Sequence, residues 1–385
     1  MDSVVFFENF KHQDVLSHML SAFQKEMQSV DQTIRNKIVS DVATVPDVGN
    51  HIFRSGGKRL RPLLTLASAR LTEYSGKNHI TLAAAVELMH TATLLHDDVV
   101  DESDMRRGRQ TARMGWGNAA SVLVGDYMLG QAFRLMVSTG SLPALKVLSD
   151  AAAIIAEGEV LQLSIMNNLD TTEDAYMRVV DSKTAALFSA STEVGALIGN
   201  QDHSETAALA SYGRNLGIAF QLVDDVLDYG QTSDIGKNAG DDFREGKITL
   251  PIILAYRRGN DTEREFWKRT IEARDQKEDD FEKACDLLAK YNEEILKQSS
   301  TILSDEEINK SKELADQFNS QLSDLTNQIK TAEEQSNSLQ EQVQGLNLEL
   351  ANDITVKSQL QNNIKNLNDQ LSVNQSLFSK KELEL

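Results

Sequence analysis

The sequence predicts an all-α protein with one large helical body and a C-terminal coiled coil, and three observations support this. The 385 residues include only 4 prolines and 21 glycines, and so few breakers favour long helices over a many-stranded sheet. The run 79–103 contains neither residue type and is rich in alanine and leucine. The third observation is a heptad pattern that follows residue 300.

The remaining elements follow in order along the chain. Residues 1–50 are mixed and predicted to be helical, and glycines and prolines between 46 and 62 predict a break. Further helical runs occupy 118–138, 147–168, 173–199 and 204–229. The polar, glycine-bearing stretch 230–250 predicts a long functional loop, after which Pro251 begins another helix.

The composition changes near residue 300, which predicts domains at 1–300 and 301–385. The second segment has 7 Lys, no Arg and 14 Asp+Glu, so it carries −7 of the total charge of −19. With a positions every seventh residue from 322 to 371 and d positions three residues later, 12 of 16 core positions are apolar. This spacing is typical of a coiled coil, and a long surface helix or a partly disordered tail is the alternative.

Charge, cysteine content and hydropathy exclude several classes of protein. A net charge of −19 argues against general nucleic-acid binding. The single Cys285 excludes an internal disulfide and a cysteine-based zinc site, and it suits a reducing compartment. No apolar run has the length of a membrane span, and the N-terminus does not resemble a signal or transit peptide. We therefore expect a cytoplasmic protein without a transmembrane segment.

Two aspartate clusters carry the strongest chemical signal. In LLHDDVVDESDMRRGR, Asp97 and Asp101 lie one helical turn apart with Asp98 beside them, and GIAFQLVDDVLDYG repeats this spacing. The second cluster consists of Asp224, Asp225 and Asp228. Packed carboxylates repel one another unless a cation neutralises them, and hard oxygen ligands suit Mg²⁺. The alternative, six uncompensated acids beside apolar helix faces, is costly.

Basic residues lie near both clusters in the sequence. GGKRLRP supplies Lys58, Arg59 and Arg61, RRGR supplies Arg106, Arg107 and Arg109, and Lys183, Lys237 and Lys247 lie further along the chain. Each alone reads as a surface charge, but together with the acids they predict a site for two polyanionic groups. One group would be held through Mg²⁺ and the other directly by Lys and Arg. No P-loop, Rossmann or nucleophile-elbow motif occurs.

Six motifs in this order resemble the trans-polyprenyl diphosphate synthase family over about residues 5–291. They are GGKRLRP, LLHDDVVDESDMRRG, SVLVGDYML, Lys183 with Thr184, FQLVDDVLD and GKNAGDDFREGKITLP. The resemblance implies the isoprenoid-synthase fold, a helical bundle around a deep apolar cavity, and a homodimer. It implies a Mg²⁺-dependent prenyltransferase that condenses an allylic diphosphate with isopentenyl diphosphate.

The resemblance also implies a role for each site residue. Asp97, Asp98, Asp101 and Asp224 would bind Mg²⁺, with Asp225 and Asp228 as further candidates. Arg106, Lys183, Lys237 and Lys247 would bind the allylic diphosphate and stabilise it as it leaves. Isopentenyl diphosphate would lie on Lys58, Arg61, His90 and Arg107, while Thr184 and Gln221 would shield the allylic cation. His96 is interpreted as structural.

Product length should depend on the depth of the cavity below Asp97. The residues predicted to line it are Ala92, Thr93 and, a turn further, Met89. Because Ala92 and Thr93 are small, we expect an open cavity and a product of about eight to ten isoprene units, suited to a quinone side chain. A geranylgeranyl-length product is the alternative, with Phe133 or Met136 as the floor.

The chain departs from the family after residue 292. Short amphipathic helices and a basic end are expected there, whereas this chain continues into EEILKQSSTILSDEE and the heptads. The change indicates a natural or engineered fusion, or a gene-model join. A weakly active or inactive scaffold assembled by the coiled coil is therefore a second hypothesis. A terpene cyclase, the third, would not need the GGKRLRP site.

Overall fold

The computed structural model describes residues 12–199, 203–230 and 240–290, and in the C-terminal region residues 335, 338, 342–345 and 352–375. The first half contains helices α1 His12–Ala22, α2 Gln24–Lys37, α3 Thr44–Arg54, α4 Leu60–Leu71, α5 Asn78–Val100, α6 Ala112–Trp116 and α7 Asn118–Ser138. Between α5 and α6, the strands β1 Met105–Arg106 and β2 Arg109–Gln110 form a small antiparallel hairpin.

The second half continues with α8 Leu142–Ile165, α9 Glu173–Val180, α10 Ala186–Ile198, α11 His203–Leu227, α12 Asp241–Glu245, α13 Leu250–Arg258 and α14 Asp261–Trp267. Residues 280–290 and 352–375 form two more helices, α15 and α16. The predicted all-α fold is confirmed. The predicted helix 173–199 is interrupted, because Asp181–Ala185 forms a π-helical turn between α9 and α10. A second π turn, Lys268–Glu272, follows α14.

Helix α5 lies at the centre of the larger hydrophobic core. It packs against α7, α4 and α2, while α10 packs against α4, α8 and α11. Nearly every α5 residue from Leu82 to Met89 is fully buried, and Ala92 and Leu95 continue the buried face. An Ala-rich helix allows this close approach from several sides, since its side chains are small. The last turn of α5 therefore has a rigid support.

A second, smaller hydrophobic core lies around α13 and α14. Its largest members are Trp267 and Phe243, which meet edge to face with ring centroids 6.4 Å apart. Tyr176 of α9 and Tyr229, just after α11, belong to the same cluster. This core supports the second aspartate motif and the segment that carries Lys247.

The chain divides into two compact units, Met1–Glu294 and Ile295–Leu385. Within the second unit, every residue of α16 is exposed, including Leu360, Ile364, Leu367 and Leu371. The domain boundary at 300/301 and the coiled coil remain predictions. None of the helices in the described residues is both long and apolar enough to cross a bilayer.

Candidate active site

The first aspartate motif occupies the last turn of α5. The carboxylate of Asp98 is buried and accepts a hydrogen bond from Nε of Arg106, on β1, at 2.7 Å. Asp101 caps the helix, and its Oδ2 accepts a hydrogen bond from Nζ of Lys247 at 2.9 Å. Burial, together with the charge of Asp101, raises the pKa of Asp97 above its usual value, although Lys183 opposes this. Asp97 and Asp101 thus present concentrated negative charge on one helix face.

Lys183 lies in the π turn Asp181–Ala185 and points toward α8. Its Nζ is 2.7 Å from Oε2 of Glu159 and 2.7 Å from Oε1 of Gln162. Burial, with the nearby charge of Asp97, raises the pKa of Glu159 to about 7. Sequence reasoning missed Glu159 and Gln162. A signal was present, because an acid and an amide three residues apart share one face of a largely apolar helix.

Lys247, which lies just after helix α12, completes this cluster. Besides Asp101, its Nζ lies 2.5 Å from Oε2 of Glu245 and 3.9 Å from Oδ1 of Asp242. Burial lowers the pKa of Lys247, but the three carboxylates outweigh it and raise the pKa above the ordinary lysine value. The structure therefore brings the first aspartate motif, Lys183 and Lys247 into one electrostatic cluster.

The second aspartate motif has a different environment at the end of α11. Asp225 is 4% exposed, and its two oxygens accept hydrogen bonds from the hydroxyl of Tyr176 at 2.5 Å and from Nε2 of Gln221 at 2.7 Å. Asp228 is 7% exposed and accepts a hydrogen bond from the backbone N–H of Asp242 at 3.1 Å. Asp224 is only half-buried. All three remain predictions as metal ligands, and Asp225 and Asp228 have donors within the protein.

Thr184 and Gln221 are joined to Asp225 by a chain of hydrogen bonds. Oγ1 of Thr184 donates to Oε1 of Gln221 at 2.7 Å, and the amide of Gln221 then donates to Asp225. Burial raises the pKa of Asp225 to about 6, although its two side-chain donors favour the carboxylate. The chain Thr184–Gln221–Asp225–Tyr176 therefore fixes the orientation of two predicted cation-shielding residues.

A separate basic cluster forms where α4 begins beside α5. Nη1 of Arg61 lies 3.2 Å from Nε2 of His90, and its guanidinium stacks on the ring of Phe188 at 4.4 Å. Burial and the neighbouring arginines hold the pKa of His90 well below its usual value, so the ring is neutral and accepts the Arg61 hydrogen bond. Burial also lowers the pKa of Arg61, to about 10.

The loop GGKRLRP adds Arg59 and Lys58 to this basic cluster, and RRGR adds Arg107. Arg59 forms an ion pair with the buried Glu87, which sequence reasoning missed. Arg107 donates a hydrogen bond to the carbonyl of Gly56, and a Cβ at Gly57 would lie 2.6 Å from its Nη1. The lack of a side chain at Gly57 therefore leaves room for Arg107. Lys58 is exposed.

Two basic residues of this cluster have unusual backbone conformations. Arg59 and Arg107 have φ angles of 49° and 52°. Non-glycine residues in this region cost of order 1 kcal/mol each and are concentrated at functional sites. Lys237, the remaining predicted basic residue, lies in 231–239, outside the described residues.

The predicted chain-length residues lie in the larger core. Met89 and Ala92 are each 1% exposed, and Thr93 is half-buried with its hydroxyl donating to the carbonyl of His90 at 2.8 Å. Met136 is fully buried in the same core, with Phe133 packed against it. A cavity of about 250 Å³ elsewhere is lined by Leu169, Asp170, Tyr256, Arg257 and Arg264, none of which is a predicted site residue.

The donor set of the first cluster fits a divalent cation. Asp97 and Asp101 offer hard oxygen ligands one turn apart, and the pKa of Asp97 is raised mainly because the group is buried, with the charge of Asp101 adding to the effect. Within the described parts of the chain, no three potential ligands already converge on one metal position. A bound Mg²⁺ would therefore draw further ligands from substrate oxygens and water, as this ion commonly does.

Comparisons with known proteins identify related chains over most of the first unit. Residues 42–288 match the family model described as polyprenyl synthetase. The chain is 49% identical over 249 residues to octaprenyl diphosphate synthase of Escherichia coli, an alignment that covers 64% of this chain and 77% of that one. It is 42% identical over 261 residues to all-trans-nonaprenyl-diphosphate synthase of Rhodobacter capsulatus, covering 67% and 80%.

Two solved structures extend the similarity to the fold. A polyprenyl synthase from Caulobacter crescentus, complexed with calcium and isoprenyl diphosphate, is 48% identical with a TM-score of 0.70, covering 71% of this chain and 84% of that one. A decaprenyl diphosphate synthase from Rhodobacter capsulatus is 53% identical with a TM-score of 0.69, covering 72% and 86%.

Proposed function

Since the chain belongs to the polyprenyl synthetase family and is a prenyltransferase, we propose that it builds a long-chain all-trans polyprenyl diphosphate. It would extend an allylic diphosphate with successive isopentenyl diphosphates. The names of similar proteins, which make octaprenyl, nonaprenyl and decaprenyl chains, support about eight to ten isoprene units. We further propose that the product supplies a quinone side chain.

The observation that carries this proposal is the presence of two distinct anion sites. One combines Asp97 and Asp101 with Lys183 and Lys247, which suits a diphosphate held through both a metal ion and ammonium groups. The other is an arginine-rich cluster centred on Arg61, which suits a diphosphate bound directly. A condensation of two diphosphates needs both.

The residues have distinct tasks in this reaction. Lys183 and Lys247 donate hydrogen bonds to the allylic diphosphate and stabilise the charge that it gains as its C–O bond breaks. Arg61, His90, Arg107 and Lys58 hold isopentenyl diphosphate so that its double bond attacks the allylic carbon. The proton then lost from isopentenyl diphosphate passes to the departing diphosphate. Thr184 and Gln221 provide oxygens beside the allylic cation.

Asp97, Asp101 and Asp224 are the proposed Mg²⁺ ligands. Asp98, Asp225 and Asp228 are further candidates, but their carboxylates would first have to break hydrogen bonds to donors within the protein. The calcium in the Caulobacter crescentus structure supports a divalent cation. When bound, Mg²⁺ neutralises diphosphate charge and makes it a better leaving group. Arg106, which pairs with Asp98, would bind diphosphate after that pair opens, and Lys237 is retained as an allylic diphosphate ligand.

The test is product analysis with Mg²⁺, isopentenyl diphosphate and an allylic primer. We expect long-chain product from the wild type and a loss of at least about 100-fold in Asp97→Asn. Asp31→Asn, a substitution of an exposed aspartate on α2 outside all six motifs, is the matched control and should retain activity. Absence of any elongated product, with folding verified by circular dichroism, would instead favour the scaffold hypothesis.

A geranylgeranyl-length product is the second candidate. Full burial of Met136 and Met89 in the core below the first aspartate motif favours it, because these side chains fill space that a longer product would need. A geranylgeranyl diphosphate synthase of Saccharolobus solfataricus is 34% identical to this chain. The same product analysis distinguishes the two lengths.

We also propose that the enzyme is a cytoplasmic homodimer. Helices α7 and α8 expose large apolar side chains, among them Leu123 at 66%, Leu142 at 76% and Val160 at 67%. Exposed apolar residues in such number are typical of an interface. Leu123→Glu with Val160→Glu should therefore yield monomers in light scattering, and an unchanged mass would contradict this interface.

A further inference from the structure

We propose that Arg274 is a positioning residue for Lys247, acting from outside every motif of the site through the end of helix α12. The proposal rests on the function proposed above, in which Lys247 binds the allylic diphosphate. Arg274 does not contact Lys247. The connection runs through the backbone of 244–247, and each link of it is a hydrogen bond.

The first link is between Arg274 and the last carbonyls of α12. Nη1 donates to the carbonyl of Glu245 at 2.8 Å and Nη2 donates to that of Arg244 at 3.1 Å. These carbonyls lack partners within their own helix, because a helix leaves its last four carbonyl groups unsatisfied. A five-residue helix has no interior to hold its end in place, so the arginine caps a weak element.

The second link connects the end of α12 to Lys247. Gly246 follows the helix in the left-handed conformation, with φ of 71°, and the N–H of Lys247 donates to the carbonyl of Asp242 at 2.9 Å. A Cβ at Gly246 would lie 2.2 Å from Oδ1 of Asn167 and 3.2 Å from Cδ of Arg274. Gly246 is therefore confined between these two side chains, and Lys247 starts from a fixed backbone position.

Two further contacts hold Arg274 and α12 together. Nε2 of Gln276 donates to the carbonyl of Phe243 at 2.8 Å and to that of Thr270 at 3.0 Å. Arg274 itself adopts φ of 55°, a conformation uncommon for a non-glycine residue. Arg274 and Gln276, which follow the π turn Lys268–Glu272, thus hold α12 in place through hydrogen bonds to its carbonyl groups.

Electrostatics explain why the placement of Lys247 matters. Its ammonium group lies among three carboxylates, at 2.5 Å from Glu245, 2.9 Å from Asp101 and 3.9 Å from Asp242. If α12 frays, the ammonium can follow Glu245 and Asp242 away from Asp101. The allylic diphosphate would then lose a donor, whereas the Arg61 cluster would be unaffected.

The chain offers a matched control in Arg264. This arginine is also exposed, and it donates to the carbonyls of Tyr256 and Arg257 at 3.2 Å and 3.0 Å, near the end of α13. Like Arg274→Met, the variant Arg264→Met removes one positive charge and two hydrogen bonds to helix-end carbonyls. It does so at the C-terminal end of α13, whereas Lys247 precedes the N-terminal end of that helix.

The experiment combines steady-state kinetics with hydrogen–deuterium exchange on the full chain. In Arg274→Met we expect the KM for the allylic primer to rise about three- to tenfold while that for isopentenyl diphosphate is unchanged. Arg274→Lys should recover part of this loss. Amides of 241–249 should exchange faster in Arg274→Met without substrate, and Arg264→Met should match the wild type in both measurements.

The results distinguish the positioning role of Arg274 from the proposed role of Lys247 in binding the allylic diphosphate. Wild-type kinetics or wild-type exchange in Arg274→Met would overturn the positioning role, as would an equal effect of Arg264→Met. Lys247→Ala is the reference variant for the proposed function. If its allylic KM is unchanged while exchange still rises in Arg274→Met, the assigned function of Lys247 fails and the link between Arg274 and the 244–247 backbone stands.

Discussion

At the residue scale, the hydroxyl of Tyr176 is one of two donors to the buried carboxylate of Asp225. Tyr176→Phe leaves one oxygen of Asp225 without this donor, so we expect unfolding to require about 1–3 kcal/mol less free energy. Gln221 and Thr184 should also lose their fixed orientation, which lowers kcat. Urea unfolding and single-turnover kinetics measure these effects.

Tyr127→Phe provides the control for this residue-scale prediction. The hydroxyl of Tyr127, on α7, donates to the backbone carbonyl of Val39 at 3.1 Å, whereas the side-chain donors to Asp225 are Tyr176 and Gln221. If kcat falls equally in Tyr127→Phe, loss of any tyrosine hydrogen bond lowers activity, and Tyr176 has no specific role.

Ala92 provides a second prediction at the residue scale, concerning product length. Ala92→Phe adds a ring below the first aspartate motif, so we expect a shorter product, with overpacking costing about 1–3 kcal/mol. The control is Ala83→Phe, an equally buried alanine nine residues earlier, on the opposite face of α5. Chromatography of the products decides, and unchanged length in Ala92→Phe refutes the depth argument.

At the element scale, the contact between α8 and the π turn determines where Lys183 lies. A Cβ at Gly158 would lie 2.7 Å from Cβ of Ser182 and 2.9 Å from the backbone nitrogen of Lys183. Gly158→Ala should therefore displace the turn, raise the allylic KM and lower the unfolding free energy by about 1–3 kcal/mol.

Gly199→Ala separates displacement of Lys183 from general destabilisation. A Cβ there would lie 2.1 Å from Oγ1 of Thr72, at the far end of α10 from the π turn. We expect a lower melting temperature without a change in allylic KM. If both variants change KM in proportion to their loss of stability, the π turn has no special role.

A further element-scale prediction concerns the start of α15. Asp280 is buried and accepts two hydrogen bonds from Arg269, at 2.7 Å and 2.8 Å, and one from the N–H of Lys277. The hydrogen bonds from Arg269 contribute most to lowering the pKa of Asp280 below its usual value of 3.8, and the bond from Lys277 adds to this. Its contribution to stability is therefore present above that pH and lost as the pH falls through the folded-state pKa.

Asp280→Asn tests this contribution. We expect the variant to unfold about 1–3 kcal/mol more easily at pH 7 and to lose less stability than the wild type on acidification. Asp279→Asn, at an exposed neighbouring position, should follow the wild-type curve. Parallel curves for wild type and Asp280→Asn across acid pH would contradict the assignment to Asp280.

The aspartate motifs, Lys183, Lys247 and Arg61 could be predicted because each belongs to a short run whose residue types and spacing carry chemistry. The pairings of Glu87 and Glu159 could not be predicted, because their partners Arg59 and Lys183 lie 28 and 24 residues away in the sequence. The spacing of Glu159 and Gln162 marks a polar position on α8, but it does not identify Lys183 as the partner. The π turn packs closely against Gly158, and no local propensity encodes this tertiary contact. Burial of Asp225 depends on the rotation of α11 against Tyr176, and this is fixed only by tertiary contacts.

At the scale of the whole molecule, α16 is a helix without a buried residue. Its apolar positions Leu360, Ile364, Leu367 and Leu371 recur at heptad spacing, and the flanking e and g positions from 361 to 375 are uncharged Asn or Gln. Over 360–371, two copies would therefore pair without charge repulsion, whereas Asp353 and Lys357 place charges in the seam nearer the start of the helix. We propose self-association through the 360–371 part of this helix.

Light scattering of two full-length variants tests this self-association. Ile364→Lys with Leu367→Lys places charges in the seam and should reduce the mass of the assembly, leaving any dimer formed through α7 and α8. Asn362→Lys with Asn366→Lys adds the same charge outside the seam and should have no effect. An equal mass for the seam variant and the wild type would refute the pairing.

The two hydrophobic cores have a consequence for heat inactivation. Asp97 and the Arg61 cluster are supported by the larger core, whereas Asp225 and the Lys247 segment are supported by the smaller one around Trp267 and Phe243. Cooperative units of different size open with different free energies. On warming, subglobal melting of the smaller core should abolish turnover first. The remaining partially folded enzyme would retain the Arg61 cluster, which is the proposed isopentenyl diphosphate site, and most of its circular dichroism.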